Sequence, residues 1–489
     1  MDLSKFSTIF SPVMNMYTKL GLFIGGKWIY EAEKGENVLN PFDESVLGCL
    51  PHATEGDLDD AIKSSERGFD EWRNTDPEIR SKVILKAADI LSERISLVSE
   101  VMTLEQGKPL AESVGEINQS IAILKFNGTN AKLIKDELVA DRDNGLKTLI
   151  KPHPLGICLC LTAWNFPIAL VIRKIAPALA AGCSVIIKPS EETPGTAIEV
   201  VKIFQEAGLP KDVINLVFGV PHEISDYLLS RDEVKKLSFT GSVPVGKLLA
   251  KKAAETLKRC TLELGGHSPA IIAEDADIEA TLDTLTGFKF RNAGQVCIAP
   301  SRFYVHEKIY DKVRDGFLKR IKNITLGNGL HEGVTMGPLS NSRRVAAMKD
   351  FIDDAVENGS TIIYGGSKYK DKGYFWEPTL IENINEGSKM ITEEIFGPIL
   401  PLFKFKDYDE VIEKANSLNY GLASYVYTNS KALQEKMVKE IIAGGVSINT
   451  ASPLHPEIPY GGIKESGIGY EGGMDAIYSF IHKKNINII

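Results

Sequence analysis

Phe288-Lys289-Phe290-Arg291-Asn292-Ala293-Gly294-Gln295-Val296-Cys297 leads out of an apolar helical pattern, through a glycine-bearing turn, to one cysteine. A thiolate is the nucleophilic form of cysteine, and a partly exposed loop supplied with backbone N–H donors is where its pKa can be tuned for attack. Cys297 is therefore read as a catalytic nucleophile, against the plainer alternative of a small core hydrophobe. What lies on either side of the run weighs between the two.

With 489 residues, 43% apolar and 25% charged, the chain can bury two or three cores and does not have a disordered composition. A net charge of −9 (56 basic against 65 acidic side chains), with no clustered basic run, argues against a nucleic-acid surface and for small-molecule partners. Six cysteines in so long a chain make no disulfide framework. Cys158 and Cys160 share a strand face in an apolar run and read as core, so no metal site is expected. Through Leu20 the only basic groups are Lys5 and Lys19, unlike a signal or transit peptide. No stretch approaches the roughly 18 to 20 consecutive apolar residues of a spanning helix. A cytoplasmic protein that does not enter the membrane is expected.

Leu58, Ala61, Ile62, Ser65, Phe69 and Trp72 recur at helical spacing, and Pro77 can open a second helix burying Val83, Ala87, Ile90 and Leu91. Residues 132–150 turn charged and strand-like, with Lys151-Pro152-His153-Pro154 punctuating their end. Strands are then expected at Leu155–Thr162, Ser184–Lys188 and Ile214–Phe218, alternating with helices after Pro167 and from Pro194 to Ala207. That alternation calls for right-handed crossovers and a doubly wound parallel sheet, with a ligand beyond the carboxyl ends of its strands. A second α/β unit starts after Glu263, with a strand at Ala270–Ala273 and a helix near Asp277 that leads to Cys297.

Gly467-Ile468-Gly469-Tyr470-Glu471-Gly472 spells a dinucleotide fingerprint but lacks the strand and βαβ context, and is read as a decoy. The better phosphate site is Phe239-Thr240-Gly241-Ser242, where a strand ends and a helix begins. Free N–H groups and the positive helix end would face a pyrophosphate there, with Ser242 able to cap or to donate.

Gly294-Gln295-Val296-Cys297 together with Leu262-Glu263-Leu264-Gly265-Gly266 resembles the aldehyde dehydrogenase superfamily. So do Glu105-Gln106-Gly107-Lys108-Pro109, Trp164-Asn165-Phe166-Pro167, Lys188-Pro189-Ser190-Glu191, Phe239-Thr240-Gly241-Ser242, Glu393-Glu394-Ile395-Phe396-Gly397-Pro398 and Pro459-Tyr460-Gly461-Gly462, in the same order. The resemblance spans nearly the whole chain and is nearest in character to succinate-semialdehyde dehydrogenases. It implies a Rossmann-like NAD(P)-binding domain over 1–131 and 151–261, an α/β catalytic domain over 262–467, and a small β oligomerisation arm over 132–150 and 468–489. The arm implies a homodimer or a homotetramer.

By this resemblance Cys297 attacks an aldehyde carbon, Asn165 and the Cys297 amide hold the oxyanion, hydride passes to the nicotinamide, and Glu263 activates water against the thioester. The residues allow these roles. A side-chain amide can donate to a developing oxyanion, although Asn165 can equally satisfy a local turn. A glutamate flanked by leucines is raised toward neutrality if desolvated, although on an edge strand Glu263 would face solvent. Without such a base the thioester would go to an external thiol such as coenzyme A. His267 is read as a loop residue. For the cofactor, the resemblance assigns Trp164, Lys188, Glu191, Gly241, Ser242, Glu394 and Phe396. A carboxylate at Glu191 would repel a 2′-phosphate, which favours NAD, with NADP possible.

For substrate, Arg173 and Arg291 match arginines that grip the carboxylate in succinate-semialdehyde dehydrogenases, and a guanidinium pair can do so. Arg291 can instead pair with helix-end carbonyls. The superfamily's substrate-binding serine has no counterpart, Leu454 and His455 falling there, so His455 joins the candidates. Ala299 stands where a second cysteine would make a redox pair. Lactaldehyde, glyceraldehyde or a broad aldehyde range are alternative substrates, and a catalytically retired scaffold is the alternative outside enzymes.

Overall fold

The computed structural model describes residues 17–143, 145–451 and 454–489; the stretch around Lys5 lies outside them. Two large sheets organise the chain. The first has eight strands in the order Gly467–Ile468, Arg259–Glu263, Val234–Thr240, Ile157–Leu161, Ser184–Lys188, Ile214–Leu216, Leu22–Ile24 and Lys27–Ile29. The run from Arg259–Glu263 to Ile214–Leu216 is parallel, and the outer strands on both sides are antiparallel.

Every residue of Ile157–Leu161 and Ser184–Lys188 is buried, as continuous apolar strands require, and helices supply the cover. The expected helices are present at Glu55–Arg73, Pro77–Glu93, Pro167–Ala181 and Pro194–Ala207. The first is closed by a capping box in which Thr54 and Asp57 satisfy each other's backbone N–H groups. Trp72 Nε1 donates to the carbonyl of Leu179 at 2.9 Å, tying that helix to the Pro167–Ala181 helix.

The second sheet has seven strands, in the order Thr361–Tyr364, Thr379–Glu382, Ile399–Phe405, Pro300–His306, Ser268–Ile272, Ala423–Tyr427 and Gly445–Ile448. All but the first edge strand are parallel. Ala270 and Ile272 join one apolar cluster while Ile271 joins another, so this sheet too is covered on both faces.

A third sheet sets Lys147–Pro154 between Glu137–Asp141 and Ile481–Ile488. The expected stop at residues 151–154 is not observed: the strand continues through Pro154. Its partner Glu137–Asp141 reaches only Ile150, and the Leu155 N–H bonds to the carbonyl of Phe480 on the other side. By alternation Pro152 and Pro154 face the vacant side, where a missing N–H costs no ladder bond.

The parallel strands align their carboxyl ends: Thr240 registers with Glu263, and Leu161 with Lys188. The cofactor and catalytic candidates therefore gather at one rim of the first sheet.

The Glu55–Arg73 helix approaches this sheet closely at Gly68, where an added Cβ would lie 2.2 Å from the carbonyl oxygen of Asp212. Alanine is the better helix former, yet overpacking should win. Gly68→Ala is expected to lower stability by about 1–3 kcal/mol in urea unfolding.

Candidate active site

The helix Ile278–Phe290, N-capped by Asp277, ends at Arg291, and the chain enters a tight turn. Asn292, Ala293 and Gly294 have φ of 50°, 51° and 73°. Gly294 fits because a Cβ there would sit 2.1 Å from the carbonyl oxygen of Gly397. Non-glycine residues in the left-handed region cost roughly 1–2 kcal/mol each, so the surroundings must over-determine the turn. They do so through Asn292. Its N–H donates to Glu112 Oε2 at 2.8 Å, its Oδ1 accepts from Gln106 Nε2 at 2.7 Å, and its Nδ2 donates to the carbonyl of Asn165 at 2.8 Å. Gln295 Nε2 donates back to the Asn292 carbonyl at 3.0 Å.

The turn delivers Cys297 half-buried, with Sγ 3.8 Å from the Tyr460 hydroxyl. Burial chiefly, then the carboxylates of Glu394 and Glu263, push its thiol up to about 12, while Tyr460 and the Ile298 N–H pull the other way.

Asn165 is buried, and its Nδ2 donates to the carbonyl of Gln295 at 3.0 Å, so it grips the nucleophile loop rather than its own turn. An amide nitrogen carries two hydrogens, which leaves the second for an oxyanion. The Asn165 carbonyl accepts from Lys108 Nζ at 2.9 Å. Lys108 is ion-paired with Glu116 at 2.6 Å, both fully buried. Glu116 also accepts from the N–H groups of Ile168 and Ala169 at 3.1 Å, at the positive end of the Pro167–Ala181 helix.

Glu263 ends its strand buried, with both carboxylate oxygens lacking a partner. The solvent-facing alternative fails because the Gly467–Ile468 strand covers that edge. Burial, and next the nearby Glu471 carboxylate, raise its pKa well above the ordinary range, while Lys174 and Arg173 oppose. Lys174 is held by Glu471 at 2.5 Å and by Ser238 at 3.3 Å. The following glycines bring three segments together. A Cβ on Gly266 would lie 2.7 Å from the Cys297 carbonyl oxygen, and one on Gly265 would lie 2.3 Å from Glu394 Oε2. His267 lies in the loop before the strand Ser268–Ile272, as expected; its ring nitrogens lie 2.8 Å from Ser301 Oγ and 3.0 Å from the Met390 carbonyl, and burial keeps its pKa well below the ordinary value.

At the strand ends Lys188 pairs with Glu191 at 2.5 Å, and the Gly219 N–H donates to Glu191 at 3.4 Å. Ser242 begins the helix Val243–Ala254 with its hydroxyl making no cap bond. The buried hydroxyls of Thr162 and Thr240 have no partner. Glu394 accepts from the Gly266 N–H at 3.2 Å, and burial raises its pKa to about 7. Trp164 meets Phe396 edge-on at 5.6 Å between centroids. Phe396 has φ of 47°, and Arg344 Nη2 donates to the carbonyls of Ile395 and Phe396 at 2.8 and 3.0 Å.

The profile of the aldehyde dehydrogenase family matches residues 28–486. The chain belongs to the aldehyde dehydrogenase family. It is 36% identical to the succinate semialdehyde dehydrogenase of Acinetobacter baylyi over 94% of this chain and 96% of that one. It is 35% identical to the 3-sulfolactaldehyde dehydrogenase of Pseudomonas putida, over 95% of this chain and 96% of that one. The crystal structure of succinate-semialdehyde dehydrogenase from Burkholderia pseudomallei superposes with a TM-score of 0.95 at 32% identity, covering 99% of this chain and 100% of that one.

As an aldehyde dehydrogenase it is an NAD(P)-dependent enzyme, and the rim described above fits such a cofactor. The unpartnered Thr162 and Thr240 hydroxyls, the Ser242 hydroxyl that makes no cap bond, and the start of the helix Val243–Ala254 are donors of the kind a phosphate and ribose take up.

The substrate candidates divide. Arg173 is buried with Nη2 unpartnered, on the Glu263 side. Arg291 lays its guanidinium over the Phe166 ring at 5.2 Å, within electrostatic reach of Glu112 but with no ion pair or side-chain hydrogen bond to another described residue; the helix-end alternative is not seen. His455 is exposed, whereas its neighbour Leu454 packs on the cluster containing Cys297. The apolar side chain is the one drawn inward.

Three features escape the residue-level reading: Tyr460 beside the thiol, the Gln106–Asn292–Gln295 web, and the buried Lys108–Glu116 and Lys174–Glu471 pairs. Their motifs were visible as Glu105–Pro109 and Pro459–Gly462, but nothing local told which side chains would meet.

Glu263→Gln is expected to slow thioester hydrolysis by about 10²–10⁴-fold, so that the acyl-enzyme accumulates in rapid-quench mass spectrometry. Because the folded carboxyl titrates above the ordinary range, hydrolysis in the unaltered enzyme should rise with pH as Glu263 loses its proton. The glutamine variant should show no such limb.

Proposed function

We propose that this enzyme oxidises succinate semialdehyde to succinate, with NAD favoured over NADP. The observation that carries the substrate reading is the Arg291 guanidinium. It is a cation over the Phe166 ring that makes no ion pair with a carboxylate among the described residues, Glu112 acting on it only at longer range. The unpartnered Nη2 of Arg173 supports it from the Glu263 side. A semialdehyde carboxylate would supply the missing acceptor for a planar guanidinium fork. The relatives' names agree in kind, since succinate semialdehyde and 3-sulfolactaldehyde are both anionic aldehydes.

The reaction follows from the chain's own groups. The Cys297 sulfur attacks the aldehyde carbon, and the carbonyl electron pair moves onto oxygen. The second Asn165 N–H and the Cys297 backbone N–H receive that oxyanion, each such donor being worth on the order of 3 kcal/mol in the transition state. Lys188, Glu191, Gly241, Ser242, Glu394, Trp164 and Phe396 would hold NAD(P), which would supply the acceptor for the hydride leaving the thiohemiacetal carbon as its carbonyl re-forms to give the thioester. Glu263 then takes a proton from water, whose oxygen displaces the sulfur and releases the acid. Glu191 would face the cofactor's ribose, where a carboxylate favours a hydroxyl over a phosphate; burial raises its pKa and the Lys188 pair opposes that rise.

The arm exposes Leu138, Val139, Ile488 and Ile489. Apolar side chains on edge strands call for a partner, so the enzyme is proposed to be a homodimer or a dimer of dimers. Light scattering at micromolar concentration should give two or four chains, and a monomer would contradict it.

Initial rates of NAD and NADP reduction test the substrate. Succinate semialdehyde should give the highest kcat/KM against lactaldehyde, glyceraldehyde and a long-chain aldehyde, and Arg291→Ala should lose about 10- to 100-fold of it while sparing neutral aldehydes. If a neutral aldehyde wins, Arg291 is structural and the pocket beside Leu454 and His455 sets the preference.

A further inference from the structure

The Cys297 sulfur is the centre of a small set of polar groups. Glu263 reaches it from the end of its strand, Glu394 from the loop before Ile395, Tyr425 from the strand Ala423–Tyr427, and Tyr460 from the segment after Pro459. The two carboxylates oppose a negative sulfur. Tyr425 is spent elsewhere, its hydroxyl donating to the Ile298 carbonyl at 2.6 Å. Among these side chains the Tyr460 phenol is left to donate, and its oxygen lies 3.8 Å from Sγ.

That phenol is held firmly. The Tyr460 N–H donates to the Glu471 carbonyl at 2.6 Å, and the Glu471 N–H returns the bond at 2.7 Å. Glu471 is fixed in turn by the buried Lys174. Gly461, next in sequence, has no room for a Cβ, which would lie 2.3 Å from the Gly469 carbonyl oxygen. A donor positioned this way costs no reorganisation when charge develops on its acceptor.

We propose that Tyr460 is a catalytic residue whose hydroxyl donates a hydrogen bond to the Cys297 sulfur and stabilises it as a thiolate, before attack and again as leaving group. The inference rests on Cys297 being the nucleophile. The phenol keeps its proton throughout. On activation the thiol proton passes to water, and the S–C bond then forms from the sulfur electron pair. On hydrolysis the C–S bond breaks and its pair returns to sulfur, facing the same phenol. In between, the acylated sulfur carries no charge and accepts weakly, so the hydrogen bond acts at the two moments when charge sits on sulfur.

The experiment is the pH dependence of iodoacetamide alkylation of Cys297, followed by mass spectrometry of its peptide and by loss of aldehyde oxidation. Tyr460→Phe should alkylate about tenfold slower near neutral pH, with the midpoint moved upward, as expected for loss of a hydrogen bond to a charged group. Its kcat/KM should fall in parallel. Replacing Tyr460 by 3-fluorotyrosine, a stronger acid of nearly the same shape, should move the midpoint downward. Profiles that superimpose in all three proteins overturn the proposal. Alkylation confined to Cys297 that leaves activity intact overturns instead the assignment of the nucleophile.

Discussion

Consecutive left-handed residues from Asn292 to Gly294 are the constraint on which the rest of the site depends. A helix cannot present its last side chain and also leave a backbone N–H free beside it, so the chain must break sharply. The break is unfavourable for Asn292 and Ala293, and is offset by hydrogen bonds that Asn292 accepts from Gln106 and Gln295 and donates to Glu112 and Asn165. These partners lie far apart in sequence. The turn therefore holds only when the amino-terminal helices, the first sheet and the nucleophile loop are assembled together. Ser340, whose N–H donates to Gln295 Oε1 at 3.0 Å, adds a further remote tie.

Electrostatics in the cavity are a compromise. Burial makes the carboxylates of Glu263 and Glu394 more basic, which suits proton removal, but the same desolvation and negative field disfavour a charged sulfur. Lys174 and Arg173 moderate Glu263 without touching the thiol, because they approach from the Glu471 side. The proposed base and the proposed nucleophile are thus tuned through different neighbours. Backbone and phenol donors favour the sulfur's charge, and cations favour the base's charge.

Much of this was legible in the chain. Alternation of apolar strands with proline-started helices predicted the doubly wound sheet, and Pro77, Pro167 and Pro194 each open a helix where expected. Glu263 ends its strand, and Asn165 and Cys297 lie in the short turns between one regular element and the next, and such boundaries are visible in sequence. The web around Asn292 was not legible. Side-chain amides bond equally well to near or distant partners, and only the three-dimensional packing chooses. His267 is the loop residue it looked like, but its burial was not legible because it comes from Ser301 and Met390, remote in sequence. His455 was drawn toward the pocket by its position alone, whereas the apolar Leu454 beside it is what packs inward. Pro152 and Pro154 resembled a strand end because the vacancy they face depends on how far the strand Glu137–Asp141 reaches.

Glu263 is locked at its edge by Gly467–Ile468, with the Leu264 N–H bonded to the Ser466 carbonyl and the Ser466 hydroxyl bonded to Gly265. Those residues lie some 201 positions after Gly265 in the chain. During synthesis the strand bearing Glu263 can therefore form well before its cover has left the ribosome. A chain that has not yet reached Ser466 can form the parallel strands and still leave Glu263 in water, where an ordinary carboxylate is a weak base. The environment of the proposed base is in this way completed by a later part of the chain.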